Sequence, residues 1–527
     1  MFVSLMLLNG ESCPSEGTEA FCAYNPLTGK ALTNWYPVSP WSEVEFAIKS
    51  AARAFEKVKT WPGERFAEFL DAYATEIEDR ADRLVEAAHE ETGYPVSPRL
   101  KDVELPRTTN QLRLAANAAR TGSWKRPIID TASNIRSEFG SLGPVVVFGP
   151  NNFPFAFNGI SGGDFAAAIA AGNPVIAKAH PSHPTTTAIF AEAALAALEK
   201  TSMPAGFVQL IFQMDYEDGE KLVSHPLIGA TAFTGSRHGG LVLKAAADKA
   251  GKPIYLELSS INPIFILEGA LAERGDALAD EFVVSCLMGT GQFCTNPGMV
   301  ILPKSKLAEE FVQKVTEKFH NAPAGALLAE NVKSNFLSGI KQLQQAGAEL
   351  LTGGGVAEGE GYRCQNTLFK VSGSEFLSNA ERLQAEAFGN ESLLVIADDV
   401  KQMVEIAAAL EGNLTGCLYT ETTGKDDAVY DQIAPVLRQK VGRLLNDKMP
   451  TGVAVVPSMN HGGPYPSTGH PGFTSVGIPA SITRFAMLQC YDNVRPHRLP
   501  SALQDKNPTG EMWRLVDGNW TQADVGK

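Results

Sequence analysis

What most restricts the fold is a change of pattern at Gly143. From there, short β-branched runs alternate with Ala-rich stretches of helical composition, as expected of a parallel sheet covered on both faces. The runs fall at residues 145–147, 175–177, 208–210, 230–233 and 254–256, with helices predicted between them at about 162–171, 185–198, 217–224 and 239–250. This segment reads as a doubly wound nucleotide-binding unit, in which ligands bind outside the carboxyl ends of the strands. A second alternating series follows Asn262, with strands predicted near 264–267, 300–302, 393–396, 416–419 and 442–445, and makes a second α/β domain.

The chain ahead of Gly143 reads as helical. Ser42 and Glu45 fit a capping box, followed by Val44, Ile48, Ala51, Phe55 and Val58 on one face. A further helical stretch runs from 62 to about 91 and stops at Thr92-Gly93, and a third spans about 107–119. Residues 124–142 are polar and weakly alternating, which suggests a hairpin standing off the body. Residues 457–477 are rich in Gly, Pro, Ser and His and read as loop; loops of that length inside a compact enzyme are often functional.

Charge and cysteine usage remove several function classes. With a net charge of -14 and a pI near 5.3 the chain has no basic field for nucleic acid or an anionic membrane, although local cations can still meet anionic ligands. Residues 1–8 are apolar but short and carry no basic residue, so no signal peptide or anchor is expected and the location is taken as cytoplasmic. The 7 cysteines are scattered and lack a CxxC pair, which argues against a disulfide framework and against a zinc site. The 9 histidines show no HExxH, and His180 and His183 flank prolines, so no metal is expected.

Five stretches can carry chemistry. Gly291-Gln292-Phe293-Cys294-Thr295-Asn296 puts a thiol among small and polar residues just past an apolar helical run, which suits a nucleophile. Pro150-Asn151-Asn152-Phe153-Pro154 follows the first strand, where an amide can donate to an oxyanion; a plain Asn-Pro turn accounts for it as well. Glu257 ends the last strand of the first series among apolar residues that should raise its pKa toward that of a general base, unless a nearby amide satisfies it. Thr234-Gly235-Ser236 lies between a strand and a helix, so Ser236 can cap the helix and Gly235 can let the backbone approach a phosphate; a bland strand-turn-helix fits too. Glu386-Ala387-Phe388-Gly389 offers a carboxylate for ribose hydroxyls and a ring for a flat group.

In their order along the chain the five stretches resemble the aldehyde dehydrogenase superfamily, and the resemblance covers nearly the whole chain. The family's PWNFP loop matches Pro150 to Pro154, its FTGSxxxG loop Phe233 to Gly240, its ELGG base Glu257 to Ser260, its GQxC nucleophile Gly291 to Cys294, and its ExFG motif Glu386 to Gly389. The resemblance implies that Cys294 attacks an aldehyde, that Asn152 and the Cys294 N–H hold the oxyanion, and that Glu257 activates water for thioester hydrolysis. It also implies that Lys178, Gly235, Ser236, Gly240, Glu386 and Phe388 contact a nicotinamide cofactor.

The departures refine these expectations. After Lys178 the chain reads Ala179-His180-Pro181-Ser182, without the glutamate that many NAD-using members place there, so NADP is expected to be accepted and preferred over NAD, with Lys178, Ser182 or His180 as donors to its 2'-phosphate. Ser259-Ser260-Ile261 stands for Gly-Gly-Lys, Asn151 for tryptophan, and Asn390 for proline. Lys178-Ala179-His180-Pro181, the run from Gln292 to Gly298 and His461-Gly462-Gly463-Pro464-Tyr465-Pro466 are similar to the branch containing 2-oxoglutarate semialdehyde dehydrogenases. Such a substrate needs a distant cation, for which Arg107 is the first candidate and a solvated surface arginine the competing reading. Phe153, Ile160, Phe293 and Tyr465 are expected as apolar walls. A broad or long-chain aliphatic aldehyde dehydrogenase using NADP is the alternative.

By resemblance the fold is α/β and aldehyde dehydrogenase-like. It comprises a Rossmann-type cofactor domain (1–123 and 143–257), an α/β catalytic domain (258–458), a small β oligomerisation element (124–142 and 478–500) and a C-terminal tail (501–527). A homodimer or homotetramer acting on a small aldehyde is expected, with no nucleic-acid or membrane partner.

Overall fold

The computed structural model describes residues 3–526, so residues 1, 2 and 527 of the expected domains lie outside the described residues. Three larger sheets carry the chain. The first has seven strands in the order Ile254–Glu257, Ala230–Thr234, Val145–Phe148, Val175–Lys178, Val208–Ile211, Met6–Leu8 and Glu11–Cys13. The five strands from Val145 onward pair in parallel, and their apolar runs are buried because helices cover both faces. Strand order reverses between Val145–Phe148 and Ala230–Thr234, so a crevice opens at the carboxyl ends of those two strands.

Two parts of the N-terminal reading are corrected. Four strands precede the helices: Met6–Leu8 and Glu11–Cys13 on the first sheet, and a separate hairpin of Ala20–Asn25 with Lys30–Pro37. These strands are short or largely solvent-facing, and so lack an apolar rhythm to betray them. The helix Trp41–Val58 starts before Ser42, with Pro40 as its N-cap and no side-chain cap, so the Ser42–Glu45 capping box does not form. The 62–91 stretch is two helices, Gly63–Glu78 and Ala81–Thr92; the latter ends at Gly93, whose φ of 67° is a left-handed C-cap.

The second sheet runs Glu349–Thr352, Thr367–Ser372, Glu391–Ala397, Met299–Pro303, Ile264–Ile266, Asn413–Tyr419 and Val441–Asn446. Its five inner and right-hand strands lie where the sequence puts them. The outer pair Glu349–Thr352 and Thr367–Ser372 escapes the pattern: the first is an exposed antiparallel edge whose register shifts between Leu350 and Thr352.

The third sheet has the order Ala486–Asp492, Ile135–Ser141, Ile128–Asp130, Arg514–Val516 and Asn519–Thr521. Residues 124–142 do supply a hairpin, and Ile135–Ser141 pairs along its full length with Ala486–Asp492. The stretch 501–527, expected as a separate tail, instead completes this sheet within its described part. Arg514 explains why: its buried guanidinium donates to the carbonyls of Gln504 (2.6 Å), Asp505 (3.1 Å) and Ala523 (2.9 Å), which clamps the segment on itself. No helix among the described residues is long and apolar enough to cross a membrane.

One connection sets up the centre of the molecule. Ile254–Glu257 is the edge strand of the first sheet, and the long 457–477 loop lies against its end. Leu258 N–H donates to Ser467 O (2.8 Å) and Gly469 N–H to Leu256 O (3.0 Å), with Glu257 bridged to Thr468. The loop is thereby delivered to the seam between the first and second sheets.

Candidate active site

The helix Glu268–Leu287 runs into a tight turn at Met288–Gly291 in which Gly289, Thr290 and Gly291 take φ values of 56°, 59° and 68°. A Cβ on Gly291 would stand 2.0 Å from the Gly389 carbonyl, so only glycine lets the Glu386–Gly389 stretch pass this close. Cys294 follows, half-buried. Asn262, itself left-handed at φ 49°, donates through Nδ2 to the carbonyls of Cys294 and Asn296, both at 2.9 Å, and fixes the nucleophile's backbone.

The Pro150–Pro154 loop reaches the same point from the first sheet. Asn152 Nδ2 donates to Gln292 O (3.0 Å), which uses one of its two N–H bonds and sets the amide two residues from the thiol. The loop is held from behind by a buried ion pair. Glu104 accepts the N–H groups of Phe155 (2.9 Å) and Ala156 (3.1 Å) and lies 3.3 Å from Arg99, which donates to Asn152 O (3.0 Å).

The third arrival is a residue the motif reading did not assign. His461 Nε2 lies 3.3 Å from Cys294 Sγ and 2.9 Å from Glu257 Oε1, and the other Glu257 oxygen accepts from Ser475 Oγ (3.1 Å). His461 and Glu257 are buried, and the imidazole packs 5.8 Å from the Phe157 ring. Its loop is pinned by His461 N–H to Thr474 Oγ1 and Ser475 N–H to His461 O, each 3.0 Å. Burial alone would raise the Glu257 carboxyl, as expected from its apolar neighbours, but the His461 charge and hydrogen bonds from His461 and Ser475 reverse the effect and lower it. Burial likewise opposes a charged His461, and Glu257 and Cys294 overcome this and raise it. The pair is therefore an imidazolium beside a carboxylate. The sequence signal was the loop's own composition, in which His461 stands next to two glycines; a Cβ on Gly462 would lie 2.0 Å from Phe473 O.

Beyond the thiol, Phe153, Phe157, Phe293 and Val476 form an apolar cluster, with Val453, Val455 and Met459 against it. Phe153 and Phe293 meet edge to face at 5.4 Å. Ile160 is placed elsewhere: it is fully buried in the core of the first sheet, where its carbonyl accepts from Tyr73 OH (3.0 Å), and Phe157 occupies the wall instead. Tyr465 is 62% exposed and takes no part in the cluster. Arg107, on the helix Leu105–Thr121, is no surface arginine. Its guanidinium sits 5.3 Å from the Phe157 ring and 5.9 Å from Phe153, with Nη1 donating to Val453 O (3.0 Å) and Nε and Nη2 buried without a protein partner. Arg443, which no motif flagged, donates to Pro450 O (2.8 Å) and also feels the charge on Cys294.

On the other side of Cys294 lies the crevice between the reversed strands. Ser236 caps the helix Arg237–Lys249 by accepting from Gly239 N–H (3.2 Å), as its position predicts. Gly240 serves packing, since a Cβ there would stand 2.5 Å from Leu258 Cδ2. Gly235 N–H donates to Glu257 O (3.1 Å), tying crevice to base. Lys178 ends its strand, with a pKa brought down to about 8 by burial. His180 accepts from Ser182 N–H through Nδ1 (3.1 Å), and burial with nearby His183 and Lys178 keeps it neutral, so it offers a single uncharged N–H. Glu386 and Phe388 line a narrow cavity with Ser260, Ile261 and Phe293, and burial raises the Glu386 carboxyl to about 7.

A doubly wound sheet that brings its own Asn and Glu, beside the strand-order switch, to a Cys from a second α/β layer defines one class of enzyme. The chain belongs to the aldehyde dehydrogenase family, whose model matches residues 13–463. Among curated relatives, it is 39% identical over 97% of its length to alpha-ketoglutaric semialdehyde dehydrogenase 2 of Azospirillum brasilense, covering 98% of that protein. It is 37% identical to alpha-ketoglutaric semialdehyde dehydrogenase of Acinetobacter baylyi, covering 91% and 92% of the two chains. Among solved structures, an aldehyde dehydrogenase from Bacillus cereus superposes with a TM-score of 0.80 at 22% identity, over 93% of this chain and 96% of that one. One from Pseudomonas syringae, described in complex with NAD+ and octanal, gives 0.79 at 20% identity over 94% and 98%. These two likenesses concern the fold.

Proposed function

We propose that the protein oxidises 2-oxoglutarate semialdehyde to 2-oxoglutarate with NADP or NAD, through a thiohemiacetal and a thioester on Cys294. The observation that carries this is the convergence of Cys294, Glu257, His461 and Asn152 at the seam, with the buried guanidinium of Arg107 along the apolar tunnel. The two semialdehyde dehydrogenase relatives, matched over most of their length, support the substrate.

The residues of the crevice fit a nicotinamide dinucleotide by their donor chemistry. Lys178 offers a cation, Ser236 and the helix start it caps face anionic oxygens, and Glu386 offers an acceptor for ribose hydroxyls. When bound, the cofactor supplies the hydride acceptor. Ser182 and the neutral His180 N–H, in a Lys178–Pro184 run that carries no carboxylate, favour acceptance of a 2'-phosphate.

Each protein group then has one task. The Cys294 thiolate, with the His461 imidazolium as counter-charge, adds to the aldehyde carbon. The second Asn152 N–H and the Cys294 backbone N–H receive the oxyanion. Once the carbon is at the thioester level, Glu257 takes a proton from water, whose oxygen attacks the acyl carbon; the acid leaves and the thiolate is restored. Arg107 presents unpaired N–H groups to the distal carboxylate of the substrate. The hairpin sheet, with its exposed Met487 and Leu488 on Ala486–Asp492, is the surface we assign to homodimer or homotetramer formation.

The test is kcat/KM for 2-oxoglutarate semialdehyde and for neutral aldehydes of equal length with both cofactors. The reading fails if no aldehyde yields reduced nicotinamide, and the substrate assignment fails if neutral aldehydes are turned over equally well. The apolar walls of Phe153, Phe157 and Phe293 make a long-chain aliphatic aldehyde the second reading.

A further inference from the structure

Cysteine and histidine spacing argues against a metal site because the donors of such a site normally come from one or two short segments. Here the fold collects them from positions 257, 294 and 461. We propose that Cys294 Sγ, His461 Nε2 and Glu257 Oε1 form a three-donor site for a divalent cation of the zinc class.

The geometry is close to that required. Sγ and Nε2 are 3.3 Å apart, Nε2 and Oε1 2.9 Å, and all three donor atoms lie within 4.8 Å of one another. A tetrahedral zinc ion with bonds of about 2.0 to 2.3 Å sets its ligand atoms roughly 3.3 to 3.6 Å apart, so the two edges that meet at Nε2 open by at most a few tenths of an ångström to hold one. Nε2 lies within hydrogen-bond reach of both other donors, so once it loses its proton its lone pair is available to an ion they share. One sulfur, one nitrogen and one carboxylate oxygen is a set for zinc or cobalt; magnesium and calcium demand oxygens.

The surroundings support a built site rather than a chance meeting. His461 is 1% and Glu257 2% exposed, and Ser475 holds the second carboxylate oxygen as a supporting partner would. The half-buried thiol leaves the fourth position open to water, as in zinc sites with three protein ligands. Arg107 and Arg443 both interact with the charge on Cys294 and oppose a dication, so the site binds reversibly and more weakly than a closed four-ligand site. On ligation the His461 imidazolium gives its Nε2 proton to solvent, so that the neutral ring and the Cys294 thiolate both bind the ion, and a metal-bound thiolate no longer attacks a carbonyl. The ion is therefore an inhibitor competing with the aldehyde, a consequence that rests on the proposed role of Cys294; the binding itself does not.

The test uses the reduced, EDTA-treated full chain titrated with Co2+ alone. One ion per chain and a near-ultraviolet thiolate-to-cobalt charge-transfer band are expected, displaced by Zn2+ and untouched by Mg2+. Cys294→Ser should abolish the band, and His461→Asn and Glu257→Gln should each weaken Co2+ binding by more than about tenfold, at least what loss of a supporting partner costs. Absence of the band in the unsubstituted chain, or unchanged affinity in folded His461→Asn, overturns the site. If His461→Asn does not fold, Glu257→Gln decides by the same criterion. Aldehyde oxidation should fall as Zn2+ binds and return with EDTA. Activity that persists at saturation overturns the inhibition, whereas metal binding by a chain with no aldehyde oxidation at all would overturn the proposed function and leave the site standing.

Discussion

Replacing Glu104 with glutamine is the sharpest probe of how the oxyanion loop is held. Glu104 is fully buried, accepts two backbone N–H groups from Phe155 and Ala156, and is the counter-charge of Arg99 at 3.3 Å. Glutamine keeps an acceptor oxygen of the same reach, so the two backbone bonds survive but lose their charge assistance, which roughly halves their strength. Removing one partner of a buried pair costs about 3 to 5 kcal/mol. Arg99 keeps 15% of its side chain exposed and its bond to Asn152 O, which puts the expected loss at the low end, about 3 kcal/mol. Because the same guanidinium anchors the Asn152 backbone, its relaxation should also displace the oxyanion donor, and kcat should fall by up to ~100-fold, the lower range for loss of such a donor. Urea unfolding and steady-state kinetics on Glu104→Gln, Arg99→Met and the double variant give the answer. The double variant should be less destabilised than the sum of the singles, because no orphaned charge remains. Additive losses, or a Glu104→Gln enzyme with full stability and full kcat, would refute the clamp.

Three further outcomes follow from the site. Glu257→Gln should leave thioester formation faster than its hydrolysis, so rapid mixing should show a burst of reduced nicotinamide near one per active site and then slow turnover; a linear trace at the normal rate removes Glu257 as the base. Ser182→Glu should lower kcat/KM with NADP by about 10-fold or more, the effect of over 1.4 kcal/mol of repulsion, while sparing NAD; equal losses with both would show that residue 182 lies away from the 2' position. Burial raises Glu386 to about 7, so it is protonated below that pH and ionised above it. The cofactor KM should accordingly rise as pH falls through 7, and the Glu386→Gln profile should be flat over the same range.

The five strands between Val145 and Glu257 and the chemistry-bearing stretches were legible because each is local. A β-branched run such as Val145–Phe148 declares its burial in four residues, and Ser236 caps a helix three residues away. Cys294, Asn152 and Glu257 were legible as motifs. The partners that fix them were not: His461 meets Glu257 across 204 positions, and Arg99 reaches Asn152 across 53. Asn262, which in the sequence marks only where the second series begins, holds the Cys294 carbonyl through its side-chain amide. The Glu257 environment illustrates the cost of local reading, because its apolar neighbours in sequence push the carboxyl up while a distant imidazolium pushes it down. Ile160, expected as a wall alongside Phe153 and Phe293, packs in the first core instead, because a resemblance does not say which side chain turns inward.

The sheet built on Ile128–Asp130 has a consequence for biosynthesis. Thr131 and Asp517, which tie its two halves, are 386 positions apart. The hairpin of Ile128–Asp130 and Ile135–Ser141 therefore emerges from the ribosome long before either Ala486–Asp492 or Arg514–Val516 exists to cover its edges. Throughout that interval it presents two open strand edges, which are templates for pairing with another nascent chain. Translation rate across the second α/β layer thus sets how long the hairpin is exposed, and chaperone demand in the cell should track that delay.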